Sequence, residues 1–195
     1  MRTWCKFLIL IVLVTLTSAT SAYAGLIREC WPGASLPTDS AGLPNFQALA
    51  ANPNLLGTAP VNTGAENVQA PQNVNGASVC RIYGKATLPA TGNYTYWVAA
   101  NSRAALFLSS STNFSGLSHV ARSTVQPPPN YKQWTRAAEQ KSAILGGNAG
   151  QTVYLLLIYV TDSGSVNHAE VRWLSPTVDE GPIPGGHFTT FSFAA

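Results

Sequence analysis

From Cys80 onward, apolar and polar residues alternate with a period of two. Cys80, Ile82, Gly84, Ala86 and Leu88 fall on one face of an extended segment, and Arg81, Tyr83, Lys85 and Thr87 on the other, more polar face. Strands put residues i and i+2 on the same side, so this spacing predicts a strand. Pro89 to Gly92 marks a turn. In the next strand, Asn93 to Ala99, Tyr94, Tyr96 and Val98 share one face and Thr95 and Trp97 the other. Ala104–Ser109, His119–Ser123, Lys141–Leu145 and Ala169–Leu174 are further strand candidates. Thr152–Val160 does not alternate. A continuous apolar run of that kind suits a central strand buried on both faces.

The region before Cys80 reads differently. Leu26–Trp31 is a short first strand. Pro32 to Asn75 is rich in Pro, Gly, Asn and Ala, with one or two helical turns at Phe46–Ala51 before Pro53. Loops of this length are uncommon unless they are functional or pinned down. Many short strands separated by turn signals predict an all-β chain, an antiparallel β-sandwich with a long N-terminal loop region. Gln126 to Asn130 contains three successive prolines and reads as a connector, because proline has no N–H for a ladder.

Residues 1–24 stand outside this pattern. Arg2 and Lys6 precede the apolar run Phe7 to Thr15, and Ala22-Tyr23-Ala24 has the small-x-small form of a cleavage site. This is a signal peptide, with cleavage expected before Gly25, and the domain occupies 25–195. The expected location is secreted or cell-surface, extracellular or periplasmic. No later segment is long and apolar enough to cross a membrane as a helix. Without the leader, nine basic residues face eight acidic ones and no basic run is present, which argues against nucleic acid as a partner. Two cysteines remain, Cys30 and Cys80. An even pair in an exported chain favours a disulfide over two buried thiols. Zinc is disfavoured, since no Cys or His stands at a ligand spacing near either one.

Catalytic chemistry finds little support. There is no G-x-S-x-G elbow and no H-E-x-x-H pair, and His119, His168 and His187 are scattered. Glu139 and Glu170 sit beside strands, where ion pairing is the simpler role, so no catalytic residue is expected.

Five segments together carry a family likeness. Thr91-Gly92-Asn93-Tyr94-Thr95-Tyr96-Trp97-Val98-Ala99 resembles the G-x-Y-T-F-W strand of the protective-antigen-type domains. Gly25-Leu26-Ile27-Arg28-Glu29-Cys30-Trp31 resembles their opening G-L-x-R-E-x-W strand. Glu139-Gln140-Lys141-Ser142-Ala143, His168-Ala169-Glu170-Val171-Arg172-Trp173 and Pro182-Ile183-Pro184-Gly185-Gly186 follow in the same order as the family's E-Q-K-S-A, H-L-x-V-x-W and P-I-P-G segments. The resemblance spans nearly all of 25–195. It implies a β-sandwich that binds carbohydrate or another protein and is not itself catalytic.

Glycan-binding members hold calcium with two consecutive aspartates after the Y-T-F-W strand. The matching positions here are Asn101 and Ser102, followed by Arg103. Neutral side chains beside a cation disfavour calcium, so no cofactor is expected. The resemblance also places the Asp162–Asn167 turn and His168 beside the ligand. The expected ligand residues are therefore Asn101, Ser102, Arg103, Asp162, Asn167 and His168, with a glycan or an extracellular or surface protein as partner. Turn chemistry is the competing role for Asp162 and Asn167. Trp31, Trp97 and Trp173 are expected in the core, while Trp134 is the best exposed aromatic, with Tyr131 near it.

Overall fold

The computed structural model describes residues 25–72, 76–111, 116–126, 128–162 and 167–189. The expected signal peptide and most of the Asp162–Asn167 turn lie outside the described residues. In order the chain forms β1 (Leu26–Pro32), α1 (Phe46–Ala51), β2 (Val61–Ala65), β3 (Ser78–Thr87), β4 (Gly92–Ala100) and β5 (Arg103–Ser109). It continues with β6 (Ser118–Ser123), β7 (Leu145–Gly147), β8 (Thr152–Thr161), β9 (Ala169–Leu174), β10 (Asp179–Glu180) and β11 (Phe188–Thr189). Two antiparallel sheets stack. One runs β2-β1-β3-β8-β5-β6, with β11 also on β3, and the other runs β10-β9-β4-β7. The fold is the all-β sandwich that the alternation predicts.

β8 lies between β3 and β5, and its continuous apolar run is explained by burial on both faces. Leu155, Leu157 and Tyr159 point into the space between the sheets, with Ile82, Tyr96, Val98, Leu106, Val171 and Trp173. Leu156 and Ile158 point the other way, where α1 lays Phe46 and Leu49 over the sheet beside Trp31 of β1. Each such aliphatic side chain contributes about 1.5–3 kcal/mol when fully buried. α1 starts where the Asn45 side chain accepts from Ala48 N at 3.0 Å.

That cover changes the environment of the polar face of β3. Arg81 and Tyr83 are buried under the loop and do not face water. Glu29 stands opposite Arg81 in the β1–β3 register, pairs with its guanidinium, and accepts from the Tyr83 hydroxyl at 3.0 Å. Arg81 also lies 5.1 Å from the Trp31 ring centroid. A buried charge tolerates this position only because its counter-charge comes from the facing strand.

Two elements differ from the alternation. β2 has no periodic signal in Val-Asn-Thr-Gly-Ala because it is a short edge strand with mostly exposed side chains. The strand expected at Lys141 begins later, at Leu145. Lys141 makes only a single bridge to Trp97, and the Ser142 hydroxyl takes the Tyr96 N–H at 3.0 Å in place of a ladder partner. Trp97 is buried, but on the outer face of the smaller sheet. Arg172 and Lys141 lie 4.8 and 5.5 Å from its ring centroid and cover it with their stems. Trp134 is half-buried and packs against Gly181.

Cys30 and Cys80 face each other in the β1–β3 ladder and are joined by a disulfide, with Cα atoms 4.1 Å apart. The long loop is therefore held at both ends. Its last part crosses to the smaller sheet, where Val68 N donates to Ile183 O, Val171 N to Val68 O and Ala70 N to Ala169 O, at 2.7–3.0 Å.

Candidate functional site

Antiparallel register decides which loops meet. Ala100 at the end of β4 is opposite Ala169 at the start of β9, and Arg103 at the start of β5 is opposite Val160 near the end of β8. The β4–β5 turn and the β8–β9 connection must therefore emerge at the same pole of the sandwich. There they interlock. Asn101 N donates to His168 O at 3.2 Å, and His168 N donates to Asn101 Oδ1 at 2.9 Å. The Ser102 hydroxyl donates to Asn167 Oδ1 at 3.2 Å, and Asn167 Nδ2 donates to Asp162 O at 3.0 Å.

His168, just before β9, and Glu170 on it are two residues apart and so share its outer side, opposite Ala169 and Val171. Both are buried. His168 Nδ1 lies 3.0 Å from Glu170 Oε2, and Nε2 lies 3.2 Å from the Pro129 carbonyl. A carbonyl only accepts, so Nε2 carries a proton. Nδ1 shares its contact with the carboxylate oxygen Oε2. The other carboxylate oxygen, Oε1, accepts from Lys132 N at 2.6 Å. Lys132 has φ of 59°, the left-handed region that non-glycine residues rarely occupy. Gln140 completes the scaffold. Its Nε2 donates to Val98 O and Gln133 O at 2.9 and 2.8 Å, and its Oε1 accepts from Ala137 N at 2.9 Å. Two fully buried polar side chains thus hold the segment after the prolines in one shape.

Between this segment and the interlocked turns is a cavity of about 250 Å³. Asn101, Asn130, Tyr131, Asn167 and His168 line it, with Pro128, Pro129 and Gln72; among the described residues no Asp, Glu, Lys or Arg does. Tyr131 is 41% exposed. Its ring meets His168 edge-on at 5.9 Å, and its hydroxyl donates to Gln69 Oε1 at 3.3 Å. The wall therefore offers neutral amides and one oriented aromatic ring.

The sequence of this chain matches no protein-family profile and no curated protein. Solved structures do match its backbone. The chain has the fold of the PA14 domains. The PA14 sugar-binding domain of an RTX adhesin superposes with a TM-score of 0.53 at 13% identity, covering 87% of this chain and 100% of that one. The PA14 domain of the antifreeze protein MpAFP gives 0.55 at 13%, covering 86% and 91%. The epithelial adhesin 9 A domain of Candida glabrata, solved with Galβ1-3GlcNAc, gives 0.58 at 12%, covering 87% and 90%.

Of the six residues singled out from the sequence, Asn101, Asn167 and His168 line the cavity. Ser102 is buried behind it on Asn167. Arg103 is half-buried as the first residue of β5, and Asp162 is exposed; neither lines the cavity. His168 is buried and spends both ring nitrogens on the scaffold. Gln140, Asn130 and Gln72 were not singled out, and Glu170 was expected only to ion-pair, as it does with His168. The i, i+2 spacing of His168 and Glu170 was the one available signal for the buried pair.

Proposed function

We propose that this protein is an exported, non-catalytic carbohydrate-recognition or adhesion module of the protective-antigen type. Sugar binds in the cavity between Asn101, Asn130, Asn167 and Tyr131. The observation that carries the reading is the combination of neutral amides with an oriented, exposed tyrosine on a rigid frame. Amides offer both donors and acceptors to sugar hydroxyls, and an aromatic ring packs against the apolar face of a pyranose. Arg103 and Asp162 flank the pole, and His168 supports the cavity from behind. The sugar bound to one structural neighbour and the sugar-binding name of another agree with this use of the fold. A disulfide agrees with an oxidising compartment.

The donor set does not fit calcium, so recognition proceeds without it. Calcium takes six to eight oxygens, usually with carboxylate charge among them. Here the Asn101 Oδ1 accepts a backbone N–H and the Ser102 hydroxyl is bonded to Asn167. A shallow, neutral site binds one sugar weakly, so retention depends on many copies acting together. The test is a glycan array probed with the protein on a multivalent carrier, with and without EDTA. The expected result is retention on a subset of glycans, unchanged by EDTA and lost in Tyr131→Ala. No retention on any glycan, or retention abolished by EDTA, overturns the reading.

One observation favours a second reading, an interaction subunit of an extracellular assembly. Most hydrogen-bonding groups at the pole already satisfy each other. Retention on a proteinaceous matrix with none on glycans would select it.

A further inference from the structure

A second cavity lies at the same pole on the far side of the crossing segment, between β1, β2, β3 and β8. Its volume is about 240 Å³. The Cys30–Cys80 disulfide, Val61 and Pro71 supply apolar walls, and Arg28 and Tyr159 supply polar groups. Val61 is 57% exposed, an unusual setting for a large aliphatic side chain in this domain. Tyr159 is buried, and its side chain spans from β8 across β3, so that its hydroxyl lies 4.0 Å from Cys30 Sγ. That sulfur is its one partner among the described residues, and thioether-like sulfur is a weak acceptor. Burial pushes the phenol well above its ordinary range, with the Arg28 charge pulling the other way, so the hydroxyl keeps its proton and can donate.

Arg28 is the second half of the argument. Its Nε donates to Thr63 Oγ1 at 2.9 Å, which fixes the guanidinium at the cavity. No carboxylate among the described residues pairs with it. Glu66, which shares the neighbouring surface with Arg28, is outside ion-pair distance. The other arginine on these strands, Arg81, has its own glutamate. The cavity thus presents a cation with terminal N–H groups to spare, a phenol donor, and apolar walls.

We propose that this cavity binds a small monocarboxylate with a compact apolar or aromatic body. The carboxylate takes the Arg28 guanidinium and the Tyr159 hydroxyl, and the body packs against Val61, Pro71 and the disulfide. Drug-sized ligands need about 300–1,000 Å³, so the volume limits the ligand to roughly one ring and its acid group. The site is separate from the sugar cavity and does not depend on that reading.

The test is calorimetry and NMR titration of the oxidised protein with benzoate, and with benzamide as the isosteric neutral control. Benzoate should bind with a Kd at or below a few millimolar, and benzamide about tenfold more weakly, as expected for loss of a charge-assisted hydrogen-bonded contact. Arg28→Gln should lose about tenfold for benzoate and little for benzamide. Tyr159→Phe keeps the ring and the packing, and should weaken benzoate several-fold with an unchanged melting temperature. Equal binding of the two probes, no binding of benzoate at about 10 mM, or shifts that map away from Arg28, Val61 and Tyr159 would each overturn the proposal.

Discussion

The two cavities at one pole are built on opposite terms. Around Asn101 and His168, nearly every polar group is bonded to a protein partner: Asn101 to His168, Ser102 to Asn167, His168 to Glu170 and Pro129, Glu170 to Lys132. Around the disulfide, the Tyr159 hydroxyl has among the described residues only a sulfur as partner, and the Arg28 guanidinium only a threonine oxygen. The first region spends its polar groups on shape, leaving Asn130 and Tyr131 at the surface. The second leaves polar groups over. Mutation should therefore cost stability in the first region and ligand affinity in the second.

The sharpest break of this contrast is Glu170→Ala. It strips the acceptor from Lys132 N and from His168 Nδ1 in a fully buried place. Leaving one partner of a buried pair uncompensated costs about 3–5 kcal/mol. Urea denaturation should show a loss of that size. Glu170→Gln separates charge from hydrogen bonding. The amide oxygen still accepts from Lys132, and a neutral His168 can donate through Nε2 and accept at Nδ1, so the loss should fall to about 1 kcal/mol. Equal losses for the two variants would show that charge, and not satisfied bonding, holds the segment.

The next effect belongs to the disulfide, which is common to the long loop and the second cavity. Cys30 and Cys80 are 50 residues apart. Loop-closure entropy gives about 4 kcal/mol as an upper figure for Cys30→Ser with Cys80→Ser. Thermal or urea unfolding measures it. A loss below about 1 kcal/mol would mean that the loop is held by the packing of α1 on β8 and not by the bond.

Tyr159→Phe sharpens the contrast from the other side. The lost hydroxyl has only sulfur as partner, so stability should change by less than about 0.5 kcal/mol. A loss above about 2 kcal/mol in the same denaturation series would reveal a satisfied hydroxyl and make the two regions alike.

A further small effect serves as calibration, away from both cavities. The Arg172 hydrogen bonds hold the Asp179 carboxyl below its ordinary range. A depressed folded value means the stabilisation is present above the ordinary Asp pKa and is lost as pH falls through the lowered folded value. The pair is largely exposed and so is worth less than about 1 kcal/mol. Asp179→Asn should flatten the acid limb of stability against pH by no more than that, and 1 M salt should shrink the difference.

Much of this was legible in the residues. Period-two alternation located β3, β4 and β5, and the unbroken run Thr152–Val160 identified the strand buried on both sides. The meeting of Asn101 with His168 was foreseeable only through the family resemblance, which sets their two loops beside one ligand. The scaffold behind them was not. Glu170 looks like any polar residue in a strand, and its carboxylate is explained only by Lys132, 38 residues earlier, and by His168 beside it. Burial of Arg81 depends on a loop without periodicity. Edge strand β2 has few buried side chains and so leaves no pattern to read.

Phe188 pairs with Ala86, and Gly25 lies so close to it that a Cβ there would sit 2.2 Å from the Phe188 carbonyl oxygen. The first and last described strands therefore leave side by side. Val153 is opposite Ala86, and Val160 is opposite Arg103. Seven strand residues, on the order of 20 Å, separate that exit from the pole that carries both cavities. A tether through either end would point both cavities away from whatever it is fastened to. A pull between the two ends would load only the β1–β3–β11 corner, leaving the pole that carries both cavities mechanically unstrained.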